Sequence, residues 1–232
     1  MRLSCTIAFL CVAASIAGSA ARADTAPVRH LEYHVSGHAA VSGQTESYEG
    51  TSTGMATAGY DGTMSVDILA LANDGGMVVR ASVTMNGEIR PEQAVTCAVY
   101  GDGRVICPAD APITGAMHVL FSHLGRNFYD PSIIDASGKW TRTDEGKELI
   151  ASASFTSTPT KDPDVVLIRE HSSVEPRAQI GVGFSDEVEI RYNVALSVPL
   201  SIHDVSTPDG RGGAAGVSTT DLQLTKDSFA KH

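Results

Sequence analysis

The chain has 232 residues, with 27 acidic against 17 basic side chains for a formal net charge of −10, four cysteines and 6% aromatic residues. An acidic chain without a Lys/Arg-rich patch offers no surface to nucleic-acid phosphates, so that class of partner is excluded. A length like this fits around one core, and no Pro/Ser/Gly-rich linker or internal repeat divides it.

At the N-terminus, Arg2, an apolar run from Leu3 to Ala20 and the small-x-small Ala21-Arg22-Ala23 have the layout of a secretory signal peptide. Residues 1–23 are expected to be that signal and 24–232 a single β-rich domain starting at Asp24, secreted or periplasmic, with no integral membrane segment once the signal is removed. Ser4, Thr6, Ser15 and Ser19 interrupt the run and speak against a retained anchor, and Cys11 follows Leu10 in its middle, where lipid attachment does not occur. Cleavage removes Cys5 and Cys11 and leaves Cys97 and Cys107.

The first strand pattern is RHLEYHVSGHAAV. Leu31, Tyr33, Val35 and Val41 fall on one face and His30, Glu32, His34, Ser36 and His38 on the other. Residues two apart on a strand stand about 6.6–6.8 Å apart, so His30, Glu32 and His34 could converge on one zinc ion; the plainer expectation is a solvated polar face. Asn73-Asp74-Gly75-Gly76 signals a turn between Tyr60–Ala72 and MVVRASVTMN, in which Met77, Val79, Ala81, Val83 and Met85 share a face.

VTCAVYGDGRVIC reads as a hairpin. Folding it about Asp102 leaves Gly101-Asp102-Gly103 as the loop and sets Cys97 opposite Cys107, near the separation a disulfide needs. Nine residues lie between the two cysteines, unlike the Cys-x-x-Cys spacing of thiol exchange, and no further ligands in register suggest zinc. In an oxidising compartment the expected outcome is a structural disulfide.

In DAPITGAMHVLFSHLG, Ile113, Met117, Leu120 and Leu124 follow helical spacing, with Pro112 suited to the first position and Gly125 to the position past the end, so one short helix is expected near 113–124. The next stretch reads as an irregular crossing with turns at Asp130-Pro131 and Ser137-Gly138. ELIASASFTST puts Leu149, Ala151, Ala153 and Phe155 on one side. EVEIRYNVALSV alternates through twelve residues from Glu187 to Val198 and reads as one strand with a buried and a wet face. PDGRGGAAG, 208–216, reads as a mobile loop between two strands. The fold class that follows is mostly antiparallel β, a sandwich or an incompletely closed barrel with one short helix. An outer-membrane barrel is disfavoured by the scarcity of aromatics and by Ala/Ser/Gly-rich strand faces.

Chemistry is sparse. Gly-x-Ser-x-Gly, His-Glu-x-x-His, a Walker loop and a calcium loop are all absent. His118 and His123 are about 140° apart on the helix, and Glu170-His171 and His203-Asp204 point to opposite faces of their strands. Asp135-Ala136-Ser137-Gly138 is a turn. Phe128, Tyr129 and Trp140 beside Arg126, Lys139 and Arg142 could form a ligand platform, though an anchor of the loop to the core is favoured. No residue is therefore assigned as catalytic, cofactor-binding or metal-ligating, and no cofactor is expected. The expectation is an exported, non-enzymatic β-sheet protein that binds an apolar small molecule or a cell-envelope partner. The alternative is a secreted hydrolase or metal-dependent enzyme with a site assembled from scattered residues such as His30, His34, His203 and Asp204, so enzymatic activity stays open. An apolar cavity under 113–124 would favour binding; a cleft with converging histidines and carboxylates would favour catalysis.

Overall fold

A computed structural model describes residues 26–47, 50–85, 94–100, 104–126, 128–146, 149–177, 183–209 and 216–229, with only the backbone described between 39 and 57. The signal segment 1–23, the loop residues 101–103 and most of the 208–216 loop lie outside the described residues.

The strands in chain order are β1 (Arg29–Ser47), β2 (Gly50–Leu71), β3 (Met77–Met85), β4 (Val95–Val99) and β5 (Val105–Ile106); then, after helix α1 (Gly115–Ser122), come β6 (Lys139–Glu145), β7 (Leu149–Pro159), β8 (Val165–Pro176), β9 (Phe184–Asn193), β10 (Val198–Pro208) and β11 (Ser218–Asp227). They form one eleven-stranded sheet in the order β5-β4-β3-β2-β1-β11-β10-β9-β8-β7-β6, antiparallel throughout. The first and last strands meet mid-sheet, and β5 and β6 are edges that do not pair with each other. The sheet is thus not closed into a barrel, and it fits a sandwich or an incompletely closed barrel. Between the two edges the chain crosses the inner face, where α1 lies against β10 and β11 before the chain returns to β6.

One connected core runs from β1–β4 through α1 to β6–β11. Its inner wall comes from the period-two residues: Leu31, Tyr33 and Val35 of β1, Met64, Val66 and Ile68 of β2, and Met77, Val79, Ala81 and Val83 of β3. The helix contributes Ala116, Met117, Leu120 and Phe121. It is shorter than the apolar spacing indicates: the Thr114 hydroxyl accepts from the Met117 N–H and caps it, so Pro112 and the exposed Ile113 precede the first turn. Past its end Gly125 adopts φ +92°, which a side chain would resist, and its carbonyl accepts from Tyr192 Oη at 2.7 Å.

Glu187–Val198 is not one strand. β9 stops at Asn193, residues 194–197 turn, and β10 starts at Val198. Asn193 Oδ1 accepts from the Leu196 N–H at 2.8 Å, Ser197 takes φ +54°, and the Arg29 guanidinium donates to the Leu196 carbonyl at 2.6 Å. These polar contacts outweigh an alternation that either structure satisfies, because Asn can close a turn with its own side chain. Arg29 also forms a buried ion pair with Asp227, tying the start of β1 to the end of β11.

The cysteine hairpin folds as its spacing indicates. Ala98 pairs with Ile106, Val99 with Val105, and Cys97 and Cys107 are joined, their Cα atoms 4.4 Å apart. Among the described residues β11 accompanies β1 only to His38 and β3 accompanies β2 only from Gly62, so there Ala39–Ser47 and Gly50–Ala58 pair only with each other.

Candidate functional site

The inner face changes character along the strands. One cross-strand row, Ile168-Ile190-Ile202-Leu222-Val35, is fully apolar and buried. The next row reads Glu170-Val188-Asp204-Thr220-Gly37-Tyr60 and the one beyond it Ser172-Asp186-Ser206-Ser218, so charge and hydroxyls replace aliphatic groups within two residues. Gly37 belongs to this change. A Cβ there would lie 2.5 Å from Tyr60 Oη, which reaches across β1 to donate to the Thr219 carbonyl at 2.9 Å and to bond Thr220 Oγ1 at 2.8 Å.

His123, at the C-cap of α1, meets this polar row. Its Nε2 lies 2.7 Å from Glu170 Oε2, and its Nδ1–H donates to the Val119 carbonyl at 2.5 Å. Both partners are buried. Burial opposes a charge on the imidazole, but the attraction and hydrogen bond of Glu170 outweigh it and hold the His123 pKa above the ordinary value. Asp204 sits two strands from Glu170 without such a partner; burial, then the Asp186 charge, push its pKa up to about 6. His118 is an exposed residue of α1, and burial followed by the charge of His123 lowers its pKa.

Past the C-terminal end of α1 a cleft of about 890 Å³ opens between the β2–β3 turn, the segment after the helix and the β9–β10 turn. Ile68, Leu71, Met77, Leu124, Tyr129 and Leu196 line it with apolar groups, and Arg29, Arg126, Asp74 and Asp130 line it with charged ones. This volume is in the range of small-molecule sites.

A cleft past the end of α1, which touches the 113–124 segment only at Leu124, and a buried histidine–carboxylate pair at the α1 C-cap are therefore both present. Of the scattered candidates, His30, Glu32, His34 and His203 lie on the outer face and Asp204 on the inner one, so the sheet separates them. His30 bonds Asp67 at 2.7 Å and Glu32 at 3.1 Å, and the hydrogen bond from Asp67 chiefly raises its pKa. His34 instead approaches Asp61 at 3.3 Å. Among the described residues no three His, Cys, Asp or Glu side chains are grouped to hold a metal ion.

Glu170-His171 and His203-Asp204 do point apart, yet their inward members matter: Glu170 finds His123, which the sequence pairs with nothing. The available signal was phase, since Glu170, Asp186 and Asp204 occupy the apolar phase of their strands, in step with Ile168, Val188 and Ile202. The aromatic segment is an anchor. Trp140 stacks on Phe155 with centroids 4.8 Å apart, Phe128 packs edge-on against both, and Arg142 lies over Phe128 while donating to its carbonyl. Of that group Tyr129 and Arg126 reach the cleft.

No family model matches the chain, and no curated protein is similar to it. Among the described residues no helix is long and apolar enough to cross a membrane.

Proposed function

We propose that this protein is exported and binds an apolar or amphipathic small molecule in the cleft at the C-terminal end of α1. The observation that carries this reading is the 890 Å³ cleft itself, walled by aliphatic side chains from four separate segments and continuous with Leu124 at the end of the helix. Leu71 supports it: this large apolar residue on the cleft wall is 62% exposed, as expected of a surface that awaits a ligand. Export is supported by the signal-like residues 1–23 and by the Cys97–Cys107 disulfide, a bond favoured outside the cytosol. The enzymatic alternative draws on residues that lie on opposite faces of the sheet, which weighs against it.

The test is titration with the uncharged fluorophore N-phenyl-1-naphthylamine. Saturable binding should be lost in Leu71→Asp and kept in Leu149→Asp, an exposed leucine outside the cleft. Equal binding by both variants would place the probe elsewhere and overturn the reading. For export, N-terminal sequencing of protein from its native host should begin at Asp24; retention of residues 1–23 would refute it.

A further inference from the structure

Asp204 is 6% exposed, and its carboxylate makes no hydrogen bond among the described residues. Trp140 Nε1 is the sole fully enclosed side-chain nitrogen or oxygen without a partner among those residues, so the unbonded Asp204 oxygens keep an opening to solvent. A carboxylate this enclosed is costly unless something positive meets it.

The neighbouring side chains do not supply that charge. Asp204 stands opposite Val188, and Asp186 stands opposite Ser206, which makes the two aspartates diagonal neighbours on the inner face, a placement with Cβ atoms about 7–8 Å apart. Glu170 flanks Val188 on the other side, but its charge is taken up by His123 at 2.7 Å. Asp186 has only the Ser172 hydroxyl, at 3.4 Å. On the helix, burial and then the charge of His123 disfavour a positive charge on His118, which lies within electrostatic reach of Asp186. Of the three acids only Glu170 is thus met by His123, and the two left over are Asp186 and Asp204.

The spacing selects the kind of cation. No three His, Cys, Asp or Glu among the described residues converge tightly enough to chelate one ion. A guanidinium is flat and distributes five N–H donors around its rim, so it spans carboxylates that are too far apart for a single ion or a compact ammonium. We propose that the inner face beside α1 binds a guanidinium group between Asp186 and Asp204. The site is separate from the end cleft and does not rest on the reading given for it.

Calorimetric titration at pH 7.5 and low salt tests this, with agmatine as a free guanidinium, the amide of Gly-Arg-Gly as a peptide-borne one, and n-butylamine and calcium chloride as the competing cations. Agmatine or the peptide should bind, the tighter of the two identifying the source, and butylamine and calcium should bind about tenfold or more weakly. Asp204→Asn and Asp186→Asn should each weaken binding by about tenfold or more, while Glu187→Gln on the outer face should not. Asp204→Asn removes an unpaired buried charge, so it should fold, and its melting curve verifies that. Absence of guanidinium binding up to about 10 mM, butylamine or calcium binding as tightly, or binding unchanged in folded Asp204→Asn would each overturn the proposal.

Discussion

On the outer face His171 and Glu187 stand 2.7 Å apart, and so do His203 and Asp221. On the inner face His123 and Glu170 stand at the same 2.7 Å. The outer pairs are half exposed or more and share their field with water and salt, whereas the inner pair is buried. Contact distance therefore says little about what a pair does for the fold. In water each ion is nearly as well solvated alone, so pairing adds little; in the interior each ion depends on its partner, and losing one strands the other.

Truncation should expose that difference first. His123→Ala leaves Glu170 buried without a counter-ion and should lower stability by about 3–5 kcal/mol in urea unfolding. Replacing both, as His123→Leu/Glu170→Met, should recover most of that loss, because a matched apolar pair removes both desolvation penalties. A single-variant loss under about 1 kcal/mol would mean that the two environments are equivalent. The raised His123 pKa also sets a sign: the contribution of the pair is present at low pH and fades as pH rises through that value.

Asp204 is the second probe, as an inner-face acid lacking the partner that Glu170 has. Its pKa, raised to about 6 in the fold, lies above the unfolded carboxylate value, so the folded state holds the proton more tightly and is favoured at low pH. Asp204→Asn should consequently stabilise the protein at pH 8, by up to about 3 kcal/mol, with the advantage shrinking as pH falls from 6 toward 4. A variant less stable than the parent at pH 8 would show that the Asp204 charge is compensated.

The disulfide gives a smaller effect. Cys97→Ala/Cys107→Ala should unfold at lower denaturant by about 2 kcal/mol, since the closed loop is short, and ligand binding should persist in the cold. Smallest of all is the outer pair: His203→Gln should cost less than about 1 kcal/mol and nothing measurable in molar salt. A larger, salt-resistant loss would erase the contrast between the faces.

Residue order alone carried the strand content, the antiparallel pairing, the cysteine hairpin, the 73–76 turn and the single helix, because period two, glycine-rich turns and helical spacing are local properties of the backbone. It also sorted β1 and β3 into an inner and an outer face. Local pattern failed at Glu187–Val198, where unbroken alternation hid a turn closed by Asn193 and held by Arg29 from the far end of the chain. Only the tertiary structure decided that β1 meets β11, that α1 lies under the sheet's inner face, and that His123 meets Glu170 across 47 positions of sequence. Those outcomes depend on which apolar surfaces cover one another and on how low the dielectric becomes beneath them, and both arise only when distant segments close around a common interior.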